Sequence, residues 1–145
     1  MFCFALVVKQ EHIFERYVLV LVKNPQDYDV LVTSNMFGDI ISDLAAQIVG
    51  GLGIAASGNI GDTFAVFEPV HGSVPKYAGQ YKVNPIGMIR SVGLMLEWLG
   101  LHHQACTLDK AIAEVILEGK VKTYDMGGTN TSLEVSQEIA KKYTQ

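Results

Sequence analysis

Asp39 and Asp43 stand four residues apart in Asn35-Met-Phe-Gly-Asp-Ile-Ile-Ser-Asp43. On a helix that spacing puts both carboxylates on one face, with Cβ atoms about 5–6 Å apart. Two anions so close repel unless a cation lies between them. Mg²⁺ is a hard cation that takes one or two carboxylates and fills its shell with waters and substrate oxygens. A second reading stays open: acidic side chains also suit a solvent-facing first helical turn, where the helix dipole favours them.

The elements that must position the pair are legible around it. Val30 to Val32 is an apolar run that predicts a short buried strand. Thr33-Ser34-Asn35 breaks the run and offers N-caps for a helix from about Phe37 to Val49. Val49-Gly50-Gly51 is a C-terminal glycine signal.

Further motifs follow in order. Gly50 to Gly61 is glycine-dense, too much so for the interior of an element. Gly51-Leu-Gly53 is not a dinucleotide fingerprint, because the spacing is not G-x-G-x-x-G and no strand immediately precedes it. Next come Glu68-Pro-Val-His-Gly-Ser-Val-Pro-Lys-Tyr-Ala-Gly79 and Asn84-Pro85. From about Tyr28 to Gly128 the series resembles the β-decarboxylating dehydrogenases: isocitrate, 3-isopropylmalate and homoisocitrate dehydrogenases.

The resemblance implies an α/β fold, a partial large domain of the isocitrate/isopropylmalate dehydrogenase type, with residues 1–145 as one truncated domain. Family members are more than twice as long, and this chain looks like the C-terminal part of one. The resemblance makes Asp39 and Asp43 ligands of Mg²⁺ or Mn²⁺, shared with a 2-hydroxy-acid substrate. It also places an acid ten residues before the matching proline, reaching the metal site of the partner; here Glu15 precedes Pro25. Phe14 and Arg16-Tyr17 fit that pattern poorly, so a solvent-facing or arginine-paired Glu15 stays open.

The resemblance assigns the cofactor to Glu68–Asn84, with His71, Gly72, Val74 and Asn84 around the adenosine. Val74 stands where the family usually has alanine. Without the flanking match, His71 reads as a capped loop histidine. Lys76-Tyr77 resembles the pair that NADP-using isocitrate dehydrogenases set against the 2′-phosphate, where NAD-using members carry aspartate. A lysine supplies a point charge and a tyrosine hydroxyl can donate to phosphate. Tyr124 matches a further phosphate-contacting tyrosine, whereas Gly128 stands near where those enzymes have arginine. NADP is therefore expected over NAD, against the reading of Lys76 and Tyr77 as surface loop residues.

The family's catalytic tyrosine and lysine, and its arginine clamp for substrate carboxylates, lie upstream of the matched region. Arg16 and Arg90 are the only arginines. The implied activity is oxidation and decarboxylation of a 2-hydroxy acid, isocitrate before homoisocitrate or 3-isopropylmalate. The rivals are an inert fragment and a non-catalytic regulatory subunit. A homodimer or hetero-oligomer with a shared site is implied.

Composition agrees with a globular chain: 145 residues, 49% hydrophobic and 18% charged, at net charge −4. The basic residues form no run, so neither nucleic acid nor a membrane surface is expected. Cys3 and Cys106 lack metal-ligand spacing, which favours a reducing, cytoplasmic setting. Met1 to Val8 is apolar but shorter than the roughly 20 residues of a membrane span. It reads as a core strand or buried helix.

Elsewhere the patterns predict five helices against two or three strands. Glu11–Lys23 reads as a helix ended by Pro25, although Val18–Val22 also suits a strand. Thr63–Glu68 reads as a strand, and Pro69–Lys82 as an ordered loop with one helical turn near Tyr77. Asn84 caps a helix through Trp98, with a stripe of Ile86, Ile89, Gly93, Leu96 and Leu99. Thr107 caps another through Leu117, with Leu108, Ala111, Ile112, Val115 and Ile116 as its core face and Gly119 as its end, and Ser132–Tyr143 forms the last.

Overall fold

A computed structural model describes residues 14–145, with side chains from position 16 onward. The chain divides into two compact units, Met1–Val49 and Gly50–Gln145.

In the first unit, helix α1 spans Phe14–Lys23. It stops before a 3₁₀ turn at Pro25–Asp27, as the proline requires. Helix α2 spans Asn35–Ile48, with Ser34 as N-cap residue. The two pack through Leu21, Leu31 and Ile41, with Tyr28 and Leu44 alongside. Val30–Val32 is not a strand. Leu31 is buried, but Val32 is 55% exposed. A strand needs a neighbour for its ladder, and none of the described residues supplies one there. The core strand or buried helix expected over Met1 to Val8 lies outside the described residues.

In the second unit, β1 (Ala56–Ile60) and β2 (Ala65–Pro69) form an antiparallel hairpin. β1 corrects the expectation that the glycine-dense stretch forms no element. Gly58 pairs with Phe67 across the ladder. A Cβ on Gly58 would lie 3.1 Å from the Phe67 ring, so the missing side chain makes room for the phenyl group.

Helix α3 spans Ile86–Trp98, α4 His102–Glu118 and α5 Ser132–Tyr143. Their core is Ile86, Leu108, Ala111, Ile112, Val115, Val135 and Ile139. Burial of each large aliphatic side chain contributes roughly 1.5–3 kcal/mol. Of the expected α4 face, Leu108, Ala111, Ile112 and Val115 are buried, Ala105 joins them, and Ile116 is only partly buried. Its start is not: α4 begins at His102, and the Thr107 hydroxyl instead donates back to the His103 carbonyl, 2.9 Å away. Leu99 lies beyond α3 and is 54% exposed, so it does not continue the stripe. Gly119 ends α4 in the left-handed conformation, φ 61°. Thr131 and Glu134 close a reciprocal capping box on α5. Among the described residues no helix is long and apolar enough to cross a membrane.

Candidate functional site

Asp39 and Asp43 both lie on α2 and are exposed. Four residues of helix set them on one face, as their spacing requires. The Ser42 hydroxyl donates to the Asp39 backbone carbonyl, not to either carboxylate. Neither acid is in an ion pair among the described residues. Two unpaired hard-oxygen donors fit a Mg²⁺ or Mn²⁺ ion that draws the rest of its shell from water and substrate. Among the described residues no third acid, histidine or cysteine joins them. The Glu15 side chain lies outside the described residues.

The other candidates belong to the second unit. The loop after β2 contains a 3₁₀ turn at Pro75–Tyr77. Lys76 Nζ stands 4.8 Å from the centre of the Tyr77 ring, and Lys82 Nζ 5.6 Å from it. Both distances suit cation–π attraction. Tyr77 meets Tyr124 edge to face, with centroids 5.8 Å apart and planes at 70°. Tyr124 comes from a second 3₁₀ turn, Tyr124–Met126. Its pKa is raised, first by desolvation of the phenol and then by the Tyr77 hydroxyl beside it. It therefore remains a neutral O–H donor at neutral pH.

His71 and Gly72 precede this cluster. The His71 Nδ1 lies 3.0 Å from the Gly72 carbonyl. A carbonyl only accepts, so in the neutral ring Nδ1 carries the proton and Nε2 is an acceptor. That Nε2 is buried and has no partner among the described residues. A ligand N–H placed there would satisfy it. Nothing lies within 4 Å of the position a Gly72 Cβ would take, so the backbone there is open to close approach. Val74 is 37% exposed at the edge of the same loop.

Asn84 is different. It is only 3% exposed. Its Oδ1 accepts from the Ile86 amide at 3.0 Å, the side-chain bond expected of a cap, although α3 begins at Ile86 with Pro85, not Asn84, directly before it. Its Nδ2 donates to Asp125 Oδ2 at 2.9 Å. The next amide, Gly87, donates to the Gly53 carbonyl at 2.9 Å. The first amides of α3 are thus engaged within the protein.

Gly128 accounts for the missing arginine. A Cβ there would run into the carbonyl and Cβ of Lys122. Only glycine fits this backbone, so the position cannot carry a guanidinium without moving the loop. No sequence pattern marks Lys82 or Asp125 as a site residue. Lys82 follows a loop residue with no helical or strand period, and Asp125 reveals itself only through a partner 41 positions away.

A family model described as isocitrate/isopropylmalate dehydrogenase matches residues 4–141. The chain belongs to the isocitrate/isopropylmalate dehydrogenase family. The isocitrate/homoisocitrate dehydrogenase of Thermus thermophilus is 50% identical over 129 residues, covering 89% of this chain and 38% of that protein. The 3-isopropylmalate/3-methylmalate dehydrogenase of Methanocaldococcus jannaschii is 45% identical over 133 residues, covering 92% and 40%. The crystal structure of isocitrate dehydrogenase from Methylococcus capsulatus superposes with a TM-score of 0.89 at 40% identity, covering 92% of this chain and 40% of that one. The chain therefore spans about two fifths of the length of these family members. The described residues, with five helices and a two-stranded sheet, are a small α/β fragment of the isocitrate/isopropylmalate dehydrogenase fold.

Proposed function

We propose that this chain forms the part of a decarboxylating 2-hydroxy-acid dehydrogenase that holds the nicotinamide nucleotide and two ligands of a divalent metal. NADP is the preferred cofactor and isocitrate the preferred substrate. We further propose that both compact units belong to one dehydrogenase domain. The enzyme is soluble and oligomeric, and Glu15 supplies a ligand to the metal of a neighbouring protomer.

The observation that carries the cofactor reading is the cluster of Lys76, Tyr77, Lys82 and Tyr124. Two ammonium groups face one tyrosine ring, and a second tyrosine with a raised pKa abuts it. Phosphate is recognised by such a set: point charges from lysine and O–H donors from tyrosine. Asp39 and Asp43 would hold Mg²⁺ or Mn²⁺, which supplies positive charge for the oxygen anions that develop during oxidation and decarboxylation. The chain's own carboxylates orient that charge from one helix face. His71 Nε2 would accept a hydrogen bond from the base of the nucleotide, and Gly72 would let the backbone approach it.

Calorimetric titration of the chain with NADP and NAD tests the reading. NADP should bind at least about tenfold more tightly, or about 1.4 kcal/mol. Lys76→Asp should reverse the order, by removing a cation and adding a carboxylate that can accept from ribose hydroxyls. Equal binding, or tighter binding of NAD by the unaltered chain, would overturn it.

A further inference from the structure

Asp125 is an exposed residue whose two carboxylate oxygens both accept from side chains of the same chain. Oδ1 accepts from the Thr123 hydroxyl at 2.5 Å, and Oδ2 from Asn84 Nδ2 at 2.9 Å. Thr123 is fully buried and Asn84 nearly so. The Thr123 carbonyl in turn accepts from the amides of Met126 and Gly128, at 3.1 and 2.9 Å. Tyr124 sits between these two anchored residues and sets its own ring against Tyr77. Gly53 closes the far side: a Cβ there would come within 2.6 Å of Asp125 Oδ2 and 2.9 Å of Asn84 Cβ.

We infer that Asp125 is a positioning residue that locks Tyr124 against Tyr77 while fixing Asn84 at the start of α3. It touches no ligand in this role. One carboxylate thereby sets the spacing between the Lys76–Tyr77–Tyr124 cluster and the Asn84 end of the loop. The inference rests on the nucleotide reading above for its functional meaning, but its geometric content stands apart from it. An ionised aspartate is an acceptor at both oxygens, and the site presents two donors. Asparagine at 125 can keep both contacts, its oxygen accepting from Asn84 and its N–H donating to the Thr123 hydroxyl, whereas alanine at 125 removes both.

The same logic gives the rescue: Asp125→Asn retains both bonds with the Thr123 polarity reversed and leaves Asn84 and its bond to the Ile86 amide untouched. The test compares the unaltered chain, Asp125→Ala and Asp125→Asn by two measurements. The first is nuclear Overhauser contact between the Tyr77 and Tyr124 rings without ligand. The second is calorimetric affinity for NADP. Asp125→Ala should lose the ring contacts and weaken NADP by about tenfold, the size of one lost bond to a charged group. Asp125→Asn should retain both. Ring contacts retained in Asp125→Ala, or lost in both variants at unchanged melting temperature, would overturn the inference. An unaltered chain that binds no NADP would overturn the nucleotide reading instead, and the ring contacts would still decide whether Asp125 positions the tyrosines.

Discussion

The Gly87 amide donates to the Gly53 carbonyl across 2.9 Å, and neither glycine has room for a side chain. A Cβ on Gly87 would lie 3.0 Å from the Ala55 carbonyl oxygen and 3.2 Å from that of Gly53. Both obstacles are backbone and cannot rotate away. Gly87 is in the first turn of α3, so this contact joins that helix to the loop before β1. Gly87→Ala should gain helix propensity, about 1 kcal/mol at most. It should lose roughly 1–3 kcal/mol to overpacking. The net expectation is a less stable second unit with a lower melting temperature. A chain stabilised by the substitution would show that the contact yields easily.

The Asp39/Asp43 pair predicts a separation of binding from stability. Both side chains are exposed and bear no described ion pair, so removing a charge should barely alter folding. Asp39→Asn should then weaken Mn²⁺ binding by about tenfold or more, because such ions take only one or two carboxylates. Asp43→Asn should do the same. Calorimetric titration gives the affinity and urea unfolding the stability. Equal Mn²⁺ affinity in the unaltered chain and in Asp43→Asn would sink the assignment.

Acid should loosen α5 first. The Glu118 pKa is lowered, first by its hydrogen bond from Lys142 and then by that from Lys120. Lys142 also lies 3.7 Å from Glu114, which ties α4 to α5. The Glu134 pKa is lowered, first by the Thr131 backbone amide. A pKa lowered on folding adds stability above the ordinary value of 4.5, and the gain is lost as pH falls through the folded value. The Lys142 pKa is raised, so its share is present below 10.5 and is lost as pH climbs through the higher folded value. Urea midpoints should therefore fall on the acid side of 4.5. Glu118→Gln with Glu134→Gln should flatten that limb. Thr131→Ala should cost about 0.5–2 kcal/mol at neutral pH through the lost cap. An acid limb unchanged in the double variant would mean that other carboxylates control it.

Several of these elements were legible because a local rule fixes them. Gly119 needs a left-handed backbone, Asn84 caps Ile86, and the α4 core face repeats with helical period. The failures have non-local causes. Val30–Val32 has a strand's composition but no described partner for its ladder. β1 has a loop's composition, yet pairs because Phe67 fills the space beside Gly58. α4 starts at His102 because nothing in His102–Cys106 forbids a helix, whatever Thr107 offers as a cap. In the candidate site, the adjacency of Lys76 and Tyr77 was visible, and resemblance alone pointed to Tyr124. Only the fold brings Tyr124 to Tyr77 and Asp125 to Asn84.

The last prediction is that these 145 residues, purified by themselves, will not oxidise a 2-hydroxy acid at an enzymatic rate. Hydride leaves a carbinol carbon only as the hydroxyl proton is taken by a positioned base. The lysines of the candidate site face a tyrosine ring, and the remaining described lysines sit on or beside helices α1, α4 and α5. Lys142 and Lys120 are paired with Glu118. Substrate carboxylates would also need cations in a cluster, and the chain has only Arg16 and Arg90. Positioning of reactants is worth up to roughly 7–11 kcal/mol in good cases, and most of it would be absent. Metal and nucleotide binding should survive the loss, because Asp39, Asp43 and the Lys76–Tyr77–Tyr124 cluster are all present. The assay follows nicotinamide absorbance with isocitrate, homoisocitrate or 3-isopropylmalate, Mn²⁺ and each cofactor in turn. Turnover of about one per second, within the ordinary range for enzymes and free of host dehydrogenase, would show that the chain holds a complete catalytic apparatus. The base would then have to be sought among its own lysines, histidines and tyrosines.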